Sequence, residues 1–78
     1  MDEKEAKEIE KELRKSGDCD VFYNYEIEHN GNRLTLTTEE TTIYQVCLTK
    51  AIRVKNEFKK WIRIDTDEDG KLQIIIHD

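Results

Sequence analysis

Two short turn motifs, each flanked by alternating apolar residues, constrain the fold of this chain more than any other feature. The pair Asn30-Gly31 is a strong two-residue hairpin signal, because a type I′ turn requires positive φ at both loop positions. With this pair as the loop, Ile27 faces Leu34 and Tyr25 faces Leu36 on one apolar face. The same register pairs His29 with Asn32 and Tyr23 with Thr38 on this face. On the opposite face it pairs Glu28 with Arg33.

A second hairpin is predicted around the acidic segment Asp67–Gly70. Acidic residues before a glycine are typical of a type I turn in which the glycine, here Gly70, takes the left-handed bulge position. The predicted pairs are Thr66 with Leu72, Ile64 with Ile74, and Ile62 with Ile76. They again place the apolar side chains on one face, so turn chemistry and hydrophobic pattern agree in both hairpins.

Two other segments have the periodicity of helices. Asp2–Lys15 carries Ala6, Ile9 and Leu13 on one face, and Gly17 is placed to end it. Glu39–Lys60 is predicted as one long helix with Thr38 as N-cap, because at 100° per residue its apolar side chains fall in a single arc. The residues of this arc are Ile43, Tyr44, Cys47, Leu48, Ala51, Val54 and Phe58.

These elements predict an α+β fold in the order αββαββ. The four strands are Cys19–His29, Arg33–Thr38, Trp61–Thr66 and Lys71–His77. The simplest arrangement is a two-layer sandwich, with two helices on one face of a four-stranded antiparallel sheet in the order 3-4-2-1. The second and third strands are then parallel, with the fourth between them, and residues 1–78 form a single domain.

This topology resembles a ferredoxin-like fold that has been circularly permuted to begin at its first helix. The chain also resembles de novo designed α+β proteins, since it lacks proline and has a first helix rich in Glu, Lys and Ala. The Asn-Gly and Glu-Asp-Gly turns and the capped second helix belong to the same resemblance. The varied helical segment Thr41–Asn56 departs from the designed pattern and keeps a small natural protein in consideration.

Composition limits the classes of partner. The chain has a net charge of −5, is 40% charged, and has no long apolar run. An acidic balance disfavours nucleic acid and anionic membranes as partners, and the pattern predicts a soluble domain without a transmembrane helix or a targeting signal. The lysines and arginines near the end of the second helix are explained by a solvated face.

The two cysteines allow three interpretations. Cys19 and Cys47 both lie at core-facing positions toward the same end of the predicted sheet. A disulfide between them is the leading prediction, two buried thiols are the alternative, and a metal site lacks further ligands. The histidines His29 and His77 are isolated at strand ends, without a nucleophile or base beside them in sequence. The sequence therefore predicts no enzyme and no cofactor.

Two weaker motifs concern binding. Phe22, Trp61 and Ile75 are predicted to point to the uncovered sheet face, where they form a candidate patch for a protein partner or a homodimer. Asp65, Asp67 and Asp69 match the first ligand positions of an EF-hand calcium loop. However, Ile76 stands where that loop has its bidentate glutamate, so ordinary turn chemistry is the better interpretation and no metal is predicted.

The leading prediction from sequence is a stably folded scaffold domain with no natural biochemical function and no partner. The alternative is a small acidic protein-binding module or inhibitor that acts through its open sheet face. An exposed apolar or charged patch on that face distinguishes the second from the first, because a pure fold design has an evenly polar surface.

Overall fold

The computed structural model describes residues 1–15 and 20–78, which form two helices and a four-stranded sheet. The elements are α1 (Glu3–Arg14), β1 (Tyr25–Asn30), β2 (Arg33–Thr38), α2 (Gln45–Glu57), β3 (Trp61–Thr66) and β4 (Leu72–His77). The sheet order is β1-β2-β4-β3 with antiparallel neighbours, so β2 and β3 are parallel with β4 between them. The predicted fold class, element order and strand order are confirmed.

The core lies between the sheet and the two helices. α1 contributes the predicted face of Ala6, Ile9 and Leu13, all buried. The other buried members of the core are Phe22, Tyr25, Leu34, Leu36, Cys47, Ala51, Val54, Ile74 and Ile76. Because both helices contact the sheet through this one cluster, the opposite face of the sheet is left without a helical layer.

The second hairpin has the predicted register. Thr66 faces Leu72, Ile64 faces Ile74, and Ile62 faces Ile76. Gly70 has a φ of +81°, and its N–H donates to the Asp67 carbonyl at 3.0 Å, as a type I turn followed by a left-handed bulge requires. Asp67 strengthens the turn, because its Oδ1 accepts from the N–H groups of Asp69 at 3.0 Å and Lys71 at 2.8 Å.

The first hairpin turns one residue later than predicted. Its loop is Gly31-Asn32, and Asn30 faces Arg33. Gly31 has a φ of +64° while Asn32 has a negative φ, which is the pattern of a type II′ turn. This turn places positive φ at glycine only, whereas the predicted type I′ turn also requires it of an asparagine.

The later turn shifts the partner of every β1 residue by two. Ile27 faces Leu36, Tyr25 faces Thr38, Glu28 faces Thr35, and His29 faces Leu34. The predicted Ile27–Leu34, Tyr25–Leu36, Tyr23–Thr38, His29–Asn32 and Glu28–Arg33 pairs are therefore wrong. A shift of two residues keeps each side chain on its face, so the predicted apolar face is nevertheless correct.

β1 is shorter than the predicted strand, because residues 21–24 form a turn and the strand begins at Tyr25. This turn is held by Asp20, whose Oδ1 accepts the Phe22 N–H at 2.9 Å, and by a hydrogen bond of 2.9 Å from the Tyr25 N–H to the Phe22 carbonyl. Strand alternation therefore does not apply to Phe22. The remaining part of the predicted strand, including Cys19, lies outside the described residues.

α2 is also shorter than the predicted Glu39–Lys60. It begins at Gln45, and its N-cap Tyr44 makes no side-chain hydrogen bond there. Thr38 is not the N-cap because it is the last residue of β2, and its Oγ1 accepts the Glu40 N–H in a local turn. The β-branched run of residues 41–43 favours the extended connection over an early helical turn.

The C-terminus of α2 closes in a Schellman motif. The Lys60 N–H donates to the Lys55 carbonyl at 2.8 Å, and the Lys59 N–H donates to the Asn56 carbonyl at 3.2 Å. Lys59 occupies the position usually taken by glycine, and it has a φ of +58°. A lysine side chain in this left-handed conformation destabilises the native state.

We expect Lys59→Gly to raise the free energy of unfolding by about 1 kcal/mol, because glycine has no Cβ clash at positive φ. Urea denaturation of the purified protein measures the change. The control is Lys7→Gly, at an exposed position in the middle of α1, which should lower the free energy of unfolding by a similar amount. A loss of stability in Lys59→Gly contradicts the strain assigned to this residue.

Candidate functional site

The open face of the sheet, opposite the helices, presents the alternate side chains of all four strands. Its members are Glu26 and Glu28 of β1, Arg33, Thr35 and Thr37 of β2, Trp61, Arg63 and Asp65 of β3, and Gln73, Ile75 and His77 of β4. Trp61 is 68% exposed. The exposed tryptophan and the charged side chains distinguish this face from the evenly polar surface of a pure fold design.

One end of the open face forms a shallow basic cavity that we call the arginine corner. It is lined by Asn32, Arg33, Arg63, Ile75 and His77 and has a volume of about 130 Å³. Arg33 is the cross-strand partner of His77, and Arg63 is the partner of Ile75, so the arginines approach β4 from opposite sides. Ile75, only 3% exposed, forms an apolar floor between them.

The two arginines of the corner form no direct ion pair with a described residue. Arg33 and Arg63 make no ion pair within residues 1–15 and 20–78, although Asp65 follows Arg63 by two residues on the same face of β3. The other two arginines of the chain are paired, Arg14 with Asp20 at 2.8 Å and Arg53 with Glu57 at 4.0 Å. Two guanidinium groups that line one cavity without a direct counter-charge are suited to bind a carboxylate or a phosphate.

The opposite end of the open face is different, because several of its polar side chains are paired within the protein. A cavity of about 290 Å³ is lined there by Asn24, Glu26, Thr37, Glu39, Glu40 and Lys71. Lys71 pairs with Glu39 at 3.2 Å, and this hydrogen bond raises the pKa of the lysine above its usual value. Asn24 Nδ2 donates to Glu40 Oε1 at 3.1 Å. These internal partners leave the arginine corner as the better candidate site.

The structure separates the three residues of the predicted apolar patch. Phe22 is 0% exposed and packs edge to face against Tyr25, with ring centroids 5.2 Å apart, so its predicted position on the open face is wrong. Ile75 lies on the open face but is buried beneath its neighbours, and Trp61 alone is exposed. The predicted patch is thus reduced to one exposed aromatic residue beside the arginine corner.

Two of the three aspartates of the calcium-like motif accept backbone hydrogen bonds through their side chains. Asp65 Oδ1 accepts the Thr66 N–H at 2.8 Å, and Asp67 Oδ1 accepts two backbone N–H groups. Ile76, at the position of the missing glutamate, is fully buried. Within residues 1–15 and 20–78, no three His, Cys, Asp or Glu side chains are grouped to hold a metal ion.

We expect no specific calcium binding in the micromolar range, because wrapping residues 65–70 around an ion breaks the Asp67 hydrogen bonds. Isothermal titration calorimetry with CaCl₂ checks this expectation. The reference is Asp67→Asn, which keeps an acceptor oxygen and lowers the charge. A dissociation constant below about 10⁻⁵ M in the unsubstituted protein, weakened in the variant, contradicts the expectation.

The two histidines lie at strand ends, as the sequence indicates, and each contacts main-chain oxygen. His29 Nε2 lies 2.8 Å from the Gly31 carbonyl and 3.2 Å from that of Met1. His77 Nδ1 lies 2.8 Å from the Asp78 carbonyl. The proximity of His77 to the two arginines is not predicted from the sequence, because the predicted register pairs Arg33 with Glu28 instead.

Cys47 is a free and buried thiol, 2% exposed, which contradicts the predicted disulfide at its Cys47 end. Its Sγ donates to the Val21 carbonyl at 3.2 Å, so the thiol holds the loop before β1. Burial raises the pKa of this thiol above its usual value, which keeps it protonated. The other cysteine of the predicted bridge, Cys19, lies outside the described residues.

Beside Cys47, the buried hydroxyl of Tyr25 has no hydrogen-bond partner among residues 1–15 and 20–78. Burial, followed by the neighbouring Cys47 side chain, raises the pKa of Tyr25 from 10.0 to about 12. As the pH rises, the unfolded chain loses this proton before the folded one. The contribution to stability is therefore complete below pH 10 and declines as the pH approaches 12.

We expect the unsubstituted protein to lose on the order of 1 kcal/mol more stability than Tyr25→Phe over this alkaline range. The lysines titrate equally in both proteins and cancel in the comparison. Urea denaturation at several pH values measures the difference. The control is Tyr23→Phe, an exposed tyrosine that should leave the pH dependence unchanged. Equal alkaline slopes for the protein and Tyr25→Phe rule out this role of Tyr25.

No protein-family model, curated protein or solved structure matches this chain. In the part of the chain that the structure describes, neither helix has the length and apolar character needed to span a bilayer.

Proposed function

We propose that this chain is a non-catalytic binding module that recognises an acidic segment of a partner protein at the arginine corner. The observation that carries the proposal is the pair of arginines, Arg33 and Arg63, placed around the buried Ile75 without an ion-pair partner among the described residues. A guanidinium group donates two parallel hydrogen bonds to a carboxylate, and two such groups can hold neighbouring acidic side chains.

The surroundings of the corner support a protein partner. Trp61 is exposed on the same face as the arginine corner, and it is the cross-strand neighbour of His77. Tryptophan and arginine are enriched in the residues that dominate protein–protein interfaces. RNA-binding sheets instead present stacking aromatics on their central strands, where this protein has Arg33, Thr35 and Gln73.

The test is a titration of the ¹⁵N-labelled protein with a glutamate hexapeptide at constant ionic strength. We expect amide shift changes concentrated at residues 32–33, 61–63 and 75–77, and quenching or enhancement of Trp61 fluorescence. Arg33→Gln together with Arg63→Gln should weaken binding at least about tenfold, because both bidentate contacts are lost.

The matched control is Lys7→Gln together with Arg53→Gln, which removes the same charge from exposed helical positions. If the control weakens binding as much as the corner variant, the attraction is general and the proposal fails. Shift changes spread evenly over the surface have the same meaning. The peptide carries no sequence information, so it tests the chemistry of the site and leaves the choice of partner open.

A second candidate is the one that the sequence favours, a scaffold domain with no natural biochemical function. It is supported by the second hairpin, in which the turn, the bulge glycine and every cross-strand pair agree. The order β1-β2-β4-β3 is also consistent with a permuted ferredoxin-like fold of designed origin. Lys59 at positive φ and the unpartnered Tyr25 hydroxyl disfavour it, because designed backbones avoid both features.

A further inference from the structure

The two edges of the sheet differ in what they offer to another strand. β1 and β3 are the edge strands. In the β3–β4 hairpin the Asp67 N–H donates to the Lys71 carbonyl at 3.0 Å, which identifies Asp67 as a residue whose backbone groups point toward β4. In an antiparallel ladder this direction alternates. The backbone N–H and C=O groups of Ile62, Ile64 and Thr66 therefore point outward, away from β4.

The sequence of β3 is self-complementary about its centre. When two copies of β3 are placed antiparallel with Ile64 on a two-fold axis, Ile64 faces Ile64 and Ile62 faces Thr66 of the second copy. These are the residues whose backbone groups point outward, so the register forms hydrogen bonds at Ile62 and Ile64, and at Thr66 once its N–H leaves Asp65 Oδ1. Arg63 then faces Asp65 of the second copy, twice by symmetry, with side chains close together on the open face.

We infer that this protein self-associates through β3, joining two four-stranded sheets into one continuous antiparallel sheet of two copies. The inference goes beyond the proposed function and concerns a different surface, although Arg63 belongs to both.

The apolar surface beside β3 supports a second copy as the occupant. Ile64 is on the helix-covered face and yet remains 49% exposed, because α2 does not cover the outer edge. On α2, Ile52 is exposed, and Lys50 lies on the opposite side of the helix. The Nζ of Lys50 donates to the carbonyl of Lys15, just beyond the end of α1. Helical spacing therefore places Ile52 on the side of α2 away from α1. Pairing at β3 covers Ile64 with its own symmetry mate.

The other edge provides an internal comparison. By the same alternation, Ile27 has outward backbone groups in β1, and it is flanked by Glu26 and Glu28. The equivalent two-fold pairing places Glu26 against Glu28 of the second copy, which are like charges. Like charges opposite each other are destabilising, and charged edges of this kind prevent strand pairing. Self-association is therefore specific to the β3 edge.

Sedimentation velocity over a concentration series up to about 1 mM is the test, since one pair of edge strands forms a small interface, and small interfaces have weak to moderate affinity. We expect a monomer–dimer equilibrium, and amide exchange at Ile62, Ile64 and Thr66 should slow as the dimer forms. Asp65→Arg should raise the dissociation constant at least about tenfold, because both cross-strand pairs become Arg–Arg. Arg63→Asp should do the same with Asp–Asp pairs.

A charge swap decides between this interface and a general loss of folding. The double variant Arg63→Asp with Asp65→Arg restores opposite charges and should recover the original dissociation constant within about threefold. A mixture of the two single variants should form a heterodimer, although neither forms a homodimer. Asp69→Arg is the control, because it makes the same charge change in the exposed turn outside β3.

A protein that stays monomeric over the whole series overturns the inference. A dimer that persists unchanged in Asp65→Arg, or that is not recovered by the charge swap, also does so. The peptide titration at the arginine corner is performed at a concentration where the protein is monomeric. Peptide binding at the arginine corner and self-association through β3 can then each be refuted independently of the other.

Discussion

Phe22→Ala is expected to lower the free energy of unfolding by about 3–5 kcal/mol, which is a large fraction of the total stability of a small domain. Phe22 is among the largest fully buried side chains, and its ring packs edge to face against Tyr25. Removal of the ring leaves a cavity between the turn of residues 21–24 and the core. Thermal and urea denaturation followed by circular dichroism measure the loss.

The neighbouring residue supplies the control for this prediction. Tyr23 is of similar size but 79% exposed, so Tyr23→Ala should change the free energy of unfolding by less than about 0.5 kcal/mol. The sequence pattern predicts the reverse, because it places Tyr23 on the apolar face and Phe22 on the open one. Similar stabilities for Phe22→Ala and the unsubstituted protein would contradict the structure of this turn.

Arg14→Lys is expected to lower the free energy of unfolding by about 2 kcal/mol, although it preserves the charge. The Arg14 guanidinium donates to Asp20 Oδ2 at 2.8 Å and to the carbonyls of Phe22 at 3.0 Å and Tyr25 at 3.2 Å. It thus connects the end of α1 to the turn that buries Phe22. A lysine ammonium is a single point that cannot reach all three acceptors, and partly buried carbonyls are left without donors.

Arg53→Lys is the matched control, since Arg53 is exposed and its ion pair with Glu57 is long, at 4.0 Å. It should change stability by less than about 0.5 kcal/mol. Urea denaturation of both variants gives the comparison. If the two substitutions have equal effects, the three hydrogen bonds of the Arg14 guanidinium contribute nothing to stability beyond the charge of the side chain.

The fold is predictable from sequence to the extent that the alternation of apolar residues along the strands and the chemistry of the turns determine it. In the second hairpin the acidic turn and its glycine specify one register, and the structure has that register. In the first, Asn30-Gly31 and Gly31-Asn32 are both acceptable loops, and the two registers differ by two residues. The alternation of apolar residues cannot distinguish these two registers, because every apolar side chain stays on the same face in either one.

This ambiguity also concealed the candidate site. The predicted register paired Arg33 with Glu28, which explains the arginine as half of a surface ion pair. The observed register pairs Arg33 with Asn30 on one side and His77 on the other. The neighbours of a central strand depend on both adjacent registers, so a small error in one hairpin changes the charge that surrounds a residue.

Local patterns failed where the backbone leaves regular structure. Phe22 was placed by strand alternation, but the side chain of Asp20 holds its N–H in a turn. The start of α2 was placed by the apolar arc, but Thr38 is needed by the sheet, where it faces Leu72 and Tyr25. A local side-chain hydrogen bond in the first case, and a tertiary contact in the second, outweighs the periodicity that the sequence displays.

The position of β4 has a consequence for folding during synthesis. β4 is the last of the six elements to be made, yet it lies at the centre of the sheet between β2 and β3. Before residues 72–77 leave the ribosome, β3 has no partner strand and β2 has only one. Domains generally fold as units, and unpaired apolar strands favour aggregation. The nascent chain therefore cannot complete its sheet in stages and depends on residues 72–77 for a single, late folding step.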